Sequence, residues 1–346
     1  MYKKLLATSA LVSTLVVANT TFAQTTITGS MDLALRSSSY DAAGGAASDT
    51  TLGRETQLNI ANKGNLNIGG LSYAAGFSLE FDGQNANASI NSDSNENVYL
   101  NLIKGGTTFH IGVDHIQNSQ NDLLSAVGDI QDEVGQTTVA GVILDTTGLR
   151  SPKEDIGVGI IQNFGNGIVA SGLYTPNNTN TGTANQTGNL LSTTGTNSAY
   201  ELGIRGTNVA NSGISFDLWK NEVEKARPDV AQNQEGLGYS LNYNTGPFGI
   251  GASRIKSERI TATEMKSTLG HVTYAVDKNL TASIVYAKTD DTAATSTADE
   301  KIMSLMVGYS FGPVGLLVTA SKIDNVGGLS ANGDAEALGF SLNTKF

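Results

Sequence analysis

The sequence of 346 residues contains no cysteine, so its fold must hold together without disulfide bonds. Proline is scarce, with five residues, and only three histidines are present. Lysine and arginine (21) are outnumbered by aspartate and glutamate (32), and the formal charge of −11 argues against a nucleic-acid partner, which would select a basic surface. Beyond the N-terminal segment, no apolar run reaches the length that a membrane-spanning helix needs.

The N-terminal segment has the three parts of a secretory signal. Lys3 and Lys4 precede an apolar stretch from Leu5 to Ala18, and Ala23 is a small residue at a suitable cleavage point. The apolar stretch is too short and too rich in small polar residues for a transmembrane helix. The sequence therefore predicts a signal peptide at residues 1–23 and a mature domain at residues 24–346.

The mature sequence is dominated by an alternation of period two. Apolar Tyr73, Ala75, Phe77, Leu79 and Phe81 alternate with small or polar residues, and the same pattern recurs at 237–243, 280–287 and 338–346. Successive side chains of a β-strand point to opposite faces, so each such segment has one apolar face and one small or polar face.

The connectors between these segments alternate in length. Seven short turns rich in glycine, asparagine and proline alternate with eight longer polar segments, which together predict sixteen strands. The turns lie near 63–65, 104–106, 164–167, 208–211, 245–247, 277–279 and 312–313, and the first and third long connectors near 37–50 and 115–152. Tight turns at one rim and long loops at the other are typical of bacterial outer-membrane barrels.

The predicted fold class is therefore an all-β transmembrane antiparallel β-barrel of 16 strands. A sheet in lipid must close, because open edges would leave backbone groups unpaired. A closed sheet of this width is too wide to be filled by its own side chains and encloses an aqueous channel. A large soluble β-protein is the alternative, but the face of glycine, serine, asparagine and threonine suits water better than a packed core.

The terminal strand Ala335–Phe346, ending in Phe346, and the opening segments 26–35 and 54–60 resemble the Gram-negative general diffusion porins, particularly those of Alphaproteobacteria. The resemblance implies an outer-membrane homotrimer, in contact with outer-membrane lipid, that passes small hydrophilic solutes and ions by passive diffusion. It also implies that the third loop, residues 115–152, folds into the barrel. Glu55 and Gln57 stand where that family has arginines on the second strand.

The third loop carries the candidate selectivity residues. Leu123, Val127, Ile130 and Val134 recur at helical spacing, and four acids accompany them: Asp122, Asp129, Asp132 and Glu133. If the loop lies inside the barrel, as the resemblance implies, these carboxylates attract cations at the narrowest section. An acidic helix in solvent is the alternative. Arg36 and Arg205 lie on the polar face of their strands, opposite the apolar residues, and could therefore face the channel. They are the candidate bases that oppose the third-loop acids.

Three further interpretations remain open at the level of sequence. The chain is not expected to be an enzyme, because its only histidines are His110, His115 and His271, cysteine is absent, and no nucleophile motif stands beside His271. No cofactor is expected, although calcium bound among the third-loop acids is an alternative. The rivals to a non-specific, mildly cation-preferring channel are a substrate-specific channel, for whose aromatic track only Trp219 and a few tyrosines are available, and a non-channel surface β-protein or adhesin.

Overall fold

The structure is a computed structural model that describes residues 23–42, 45–84, 94–112, 157–175, 198–223, 234–258, 264–291, 298–325 and 333–346. Within these ranges no helix is both long and apolar enough to cross a membrane. The helical structure that they contain is a single 3-10 turn at Val209–Asn211.

Sixteen antiparallel strands close into one barrel, in which each strand pairs with its neighbours in sequence and β1 pairs with β16. The predicted fold class is confirmed, whereas the inward-folded third loop lies outside the described residues. The strands are β1 (Gln24–Ala42), β2 (Gly45–Ile68), β3 (Leu71–Gln84), β4 (Ser94–Lys104), β5 (Thr107–Gly112), β6 (Gly157–Gly165), β7 (Ile168–Thr175), β8 (Ala199–Gly206), β9 (Ile214–Val223), β10 (Gln234–Thr245), β11 (Phe248–Glu258), β12 (Glu264–Ala275), β13 (Leu280–Asp291), β14 (Glu300–Phe311), β15 (Val314–Asp324) and β16 (Ala335–Lys345).

The outer wall of the barrel is apolar and exposed. On β14, Met303 and Leu305 are exposed, whereas the alternate residues Ser304 and Met306 are buried. The same alternation leaves a band of exposed large apolar side chains around the barrel, for example Leu35, Leu100, Ile160, Leu202, Leu241, Ile250, Ile284 and Phe340. A continuous exposed apolar surface of this extent would be unstable in water, and it is suited to lipid.

The inner wall is less uniformly polar than the sequence predicts. Val285 and Ala287 occupy the expected polar parity of β13, but they belong to a buried apolar cluster on the inward face of β12–β16. Its members are Leu269, Val285, Ala287, Ile302, Met306, Ile323 and Ala335. The prediction of an entirely small or polar inner face is therefore wrong for this sector, because period two fixes the direction of a side chain but not its chemistry.

Two predicted connectors also differ from the structure. The turn expected near residues 63–65 is instead at Gly69 and Gly70, whose positive φ angles of 54° and 73° suit glycine. The long connector expected near residues 37–50 is mostly strand, because β1 and β2 stay paired as far as Ala42 and Gly45. The polar residues of this segment belong to a β-hairpin that extends beyond the apolar band of the outer wall.

The barrel is closed by a seam between β1 and β16. Ser30 pairs with Lys345 at one end of this seam and Tyr40 with Ala335 at the other. Gly29 and Phe346 extend it by two reciprocal backbone hydrogen bonds, with N–O distances of 2.8 and 2.9 Å. The Phe346 ring covers Gly29 so closely that a Cβ atom there would lie 2.5 Å from the ring, so the terminal side chain packs on bare backbone.

Deleting Phe346 should weaken this seam. The two backbone bonds are worth about 1 kcal/mol each, so we expect the free energy of unfolding to fall by about 2 kcal/mol. Urea unfolding in detergent micelles, followed by circular dichroism, measures the change. Phe346→Leu keeps both backbone bonds and is the matched control. A deletion variant as stable as the leucine variant would contradict the assignment of seam stability to these bonds.

Candidate functional site

The inner wall of β8 and β9 carries an ion pair that joins two neighbouring strands. Arg205 and Asp217 are opposite each other in the register of β8 and β9. The Arg205 Nε and Nη2 atoms both donate to Asp217 Oδ2, at 3.0 and 2.7 Å. The Asp217 side chain is 1% exposed and that of Arg205 is 25% exposed. Asp217 therefore neutralises the guanidinium charge of Arg205, while part of the guanidinium group remains in contact with solvent.

A buried tryptophan lies next to this pair on the same inward face. Trp219 is opposite Gly203 and Gly238 on the two flanking strands, and it is 1% exposed. A Cβ atom on Gly238 would lie 2.2 Å from the indole, so the ring packs directly against the backbone of β10. Within the described part of the chain, the indole nitrogen has no hydrogen-bond partner. This tryptophan is a packing element of the wall and not an exposed platform.

Two of the histidines contact asparagine side chains: His110 contacts one on the preceding strand, and His271 contacts one on β10, across Gly251 of β11. His110 Nδ1 lies 2.7 Å from Asn101 Oδ1, and His271 Nε2 lies 2.9 Å from Asn242 Oδ1. Both rings point inward and are buried. The hydroxyl of Thr273 is 3.4 Å from His271 Nδ1, too long for an activated nucleophile. These contacts give the two histidines a structural role in the inner wall, and His115 lies outside the described residues.

The structure places only part of the predicted selectivity set. Asp122, Asp129, Asp132 and Glu133 all lie in 113–156, outside the described residues. Arg36 lies in the middle of β1, paired with Thr51 and Gly339, on the parity of inward-facing Ala34 and Ser38. Arg205 faces the interior as its parity predicts. Its partner Asp217 was missed, because parity alone does not give the register that brings the two together.

Metal binding finds no support in the described wall. Its residues include no group of three or more histidine, aspartate or glutamate side chains arranged to hold an ion. The calcium alternative concerned the third-loop acids, which this observation does not cover, so it stays a prediction.

The comparison with protein families decides the assignment. Residues 7–342 match the model of the Gram-negative porin family. The chain belongs to the Gram-negative porins. This membership and the barrel fold place the protein in the bacterial outer membrane, as the sequence predicts, and indicate a channel rather than an enzyme. A search of curated proteins finds no match for this porin.

Solved structures show the same fold at low sequence identity. The anion-selective porin from Comamonas acidovorans is 15% identical, with a TM-score of 0.68 over 94% of this chain and 100% of that one. Salmonella typhi OmpF, in complex with daunomycin, is 12% identical, with a TM-score of 0.66 over 93% and 97%. OmpT of Vibrio cholerae is 12% identical, with a TM-score of 0.61 over 95% and 99%. At these identities the likeness concerns the fold and not the selectivity.

Proposed function

We propose that this porin is a non-specific diffusion channel for small hydrophilic solutes and ions with a mild preference for cations. The observation that supports the preference is the acidic balance of the sequence, 32 acids against 21 bases, together with the four acids of the third loop. The described inner wall also carries the inward-facing carboxylates Asp32, Glu201 and Glu300, whereas Asp217 is paired with Arg205. Carboxylates around a narrow aqueous section raise the local concentration of cations.

Four described bases have the inward parity, namely Arg36, Arg205, Lys63 and Lys345. Arg205 is paired with Asp217, Arg36 lies in the middle of β1, and Lys63 and Lys345 lie near the turn-side ends of β2 and β16. The third-loop acids Asp122, Asp129, Asp132 and Glu133 would add four negative charges if that loop enters the barrel. The anion selectivity of the Comamonas porin belongs to that protein and does not transfer at 15% identity.

Neutralising Asp122, Asp129, Asp132 and Glu133 together, to asparagine and glutamine, is expected to bring the cation-to-anion permeability ratio close to unity. The reversal potential in planar bilayers under a salt gradient measures this ratio. Asp290→Asn with Asp324→Asn removes acids from the outer wall and is the control that should leave the ratio unchanged. Anion preference in the unmodified protein would contradict the acidic constriction while leaving the channel assignment intact.

The buried state of Trp219 bears on the rival interpretation of a substrate-specific channel. Such a channel needs aromatic faces that a solute can reach, and the one tryptophan of this chain is 1% exposed. We therefore favour non-specific diffusion. Conductance that saturates with one class of solute would contradict this choice.

We also propose that the porin assembles as a homotrimer and needs neither a catalytic group nor a cofactor for conduction. The family resemblance supports trimerisation, and a solved structure of Vibrio cholerae OmpT is described as its trimer form. Three equal closing steps in the conductance trace of the purified protein would report one pore per subunit. Calcium titration in the same recording tests the remaining metal alternative.

A further inference from the structure

The charged residues of inward parity are segregated along the axis of the channel. The half of the wall nearer the long connectors, here called the loop-side half, carries eight described acids, spread over β2–β4, β8, β13 and β14: Asp49, Glu55, Glu80, Asp82, Glu96, Glu201, Asp291 and Glu300. The other half, here called the turn-side half, carries Lys63, Lys345 and the ion pair of Arg205 with Asp217. Asp32 lies between the two halves.

The bases do not even out this segregation. In the strand registers, Lys63 and Lys345 are opposite uncharged residues, namely Gln24, Ala74 and Ser30. Lys345 has Asp32 as its diagonal neighbour, at the boundary of the two halves. Arg36 is the one described base of inward parity in the loop-side half, and it is diagonal to Asp49. The two halves of the described wall therefore differ in the sign of their excess charge.

The acids are densest on β1–β4. Asp32, Glu55 and Asp82 are successive partners in the registers of β1, β2 and β3. Glu80 is the diagonal neighbour of Glu55, and Glu96 of β4 is the diagonal neighbour of Glu80. The remaining register partners of these five residues, here called the acidic sector, are uncharged: Asn343, Gln57, Ser78 and Ser94. No base of the described strands therefore lies opposite the sector.

The acidic sector has a cost and needs a counter-charge. Directly opposed like charges destabilise an antiparallel pair. Because the sector has the inward parity, the cations that offset this repulsion come from the water of the channel. Fixed charges on a narrow aqueous wall raise the local concentration of counter-ions, so mobile cations gather in the loop-side half. The turn-side half, where the excess charge is positive, does not gather them.

We propose that this segregation makes the channel rectify, so that it passes more current when the loop side is positive than when it is negative. The inference rests on the proposed diffusion channel. With the loop side positive, cations enter through the acidic half, whereas anions enter from the turn side and are held back by the acids. Both ions then accumulate in the middle of the channel, and its conductance rises. With the loop side negative, both ions are drawn out of that section and the conductance falls.

The test compares the currents of single channels at equal and opposite voltages, with the same potassium chloride solution on both sides of a planar bilayer. The Debye length is about 10 Å at 0.1 M salt and about 3 Å at 1 M salt. We therefore expect unequal currents at the lower salt concentration and nearly equal currents at the higher one. Equal currents at the lower concentration would overturn the proposal. Undiminished asymmetry at the higher concentration would also overturn it, because the shape of the channel and not its charge would then be the cause.

Neutralising the acidic sector should remove most of the asymmetry. The variant combines Glu55→Gln, Glu80→Gln and Asp82→Asn. Its matched control removes the same charges from exposed positions of the outer wall, by Glu235→Gln, Glu336→Gln and Asp290→Asn, and should rectify like the unmodified protein. A sector variant that rectifies as strongly as this control would overturn the proposal.

The turn-side lysines are tested by charge reversal. Lys63→Glu with Lys345→Glu gives both halves of the wall an excess of acids and should bring the two currents close to equality. Unchanged asymmetry in this variant would overturn the role of the lysines.

The polarity of the effect is read with one engineered thiol, because the chain has no cysteine. Lys278→Cys, in the exposed turn between β12 and β13, reacts with a maleimide polymer too large for the channel only from the turn side. The larger current should flow when the opposite chamber is positive, and the reverse polarity would overturn the proposal. A channel that prefers anions but rectifies in the expected direction would contradict the cation preference alone, whereas a protein without conductance would contradict both proposals.

Discussion

Replacing Arg205 by alanine is expected to destabilise the barrel by about 3–5 kcal/mol, the cost of removing one partner of a buried ion pair. Asp217 is 1% exposed and loses the guanidinium that donates to it twice. Urea unfolding in detergent micelles, followed by circular dichroism, measures the loss. The same variant removes a positive charge from the inner wall, so its reversal potential should shift toward stronger cation preference.

The double variant Arg205→Ala with Asp217→Ala separates the ion pair from the packing of either side chain. Because the second substitution removes the carboxylate that has lost its guanidinium partner, the double variant should lose less stability than the two single variants added together. Additive losses, or a cost below about 1 kcal/mol for Arg205→Ala alone, would show that the pair does not stabilise the wall.

Substituting Gly238 by alanine is expected to cost up to about 3 kcal/mol, as overpacking of a close contact does. The new Cβ atom would lie 2.2 Å from the indole of Trp219, which is buried and has little room to turn away. Because Trp219 is the one tryptophan of the sequence, its emission spectrum should change in the same variant. Thermal and urea unfolding, again by circular dichroism, give the stability.

Two controls isolate the contact. Gly270→Ala adds a methyl group on β12, two strands away, where the nearest heavy atom is 3.9 Å from the new Cβ position, and it should be close to neutral. Introducing Gly238→Ala into a Trp219→Leu background should cost much less than in the unmodified protein, because the clashing ring is gone. An equal cost in both backgrounds would place the effect in the backbone of β10 rather than in the indole contact.

The side on which Arg205 lies could be predicted from sequence, but its partner could not. Alternation along β8 directs Arg205 inward without any knowledge of its neighbours. The residue of β9 that lies opposite Arg205 depends on where the β8–β9 turn is centred. A turn confined to 208–211 would place Arg205 opposite Ile214, whereas the observed register places it opposite Asp217. The 3-10 turn at Val209–Asn211 lengthens the connection and moves the register.

The limits of the alternation pattern appear again on β13 and in the first hairpin. Val285 and Ala287 follow the inward parity, but whether an inward residue meets water or other side chains depends on the opposite parts of the barrel, which are distant in sequence. Residues 37–42 and 45–50 are mostly small or polar on both parities, and this composition resembles a loop although the strands stay paired. Beyond the apolar band, water can satisfy the backbone groups of a loop as well as those of a strand. The composition of the sequence therefore does not decide whether the β1–β2 pairing continues there.

The seam between β1 and β16 has a consequence for assembly. Every other strand pair joins segments that are adjacent in the sequence and can form early, whereas this pair joins the first strand to the sixteenth. Contacts of such large sequence separation form slowly, so we expect the pairing of the edge strands β1 and β16 to be the last step of folding. Until they meet, both edges can recruit strands from other chains, and the lifetime of the unclosed sheet determines its exposure to aggregation.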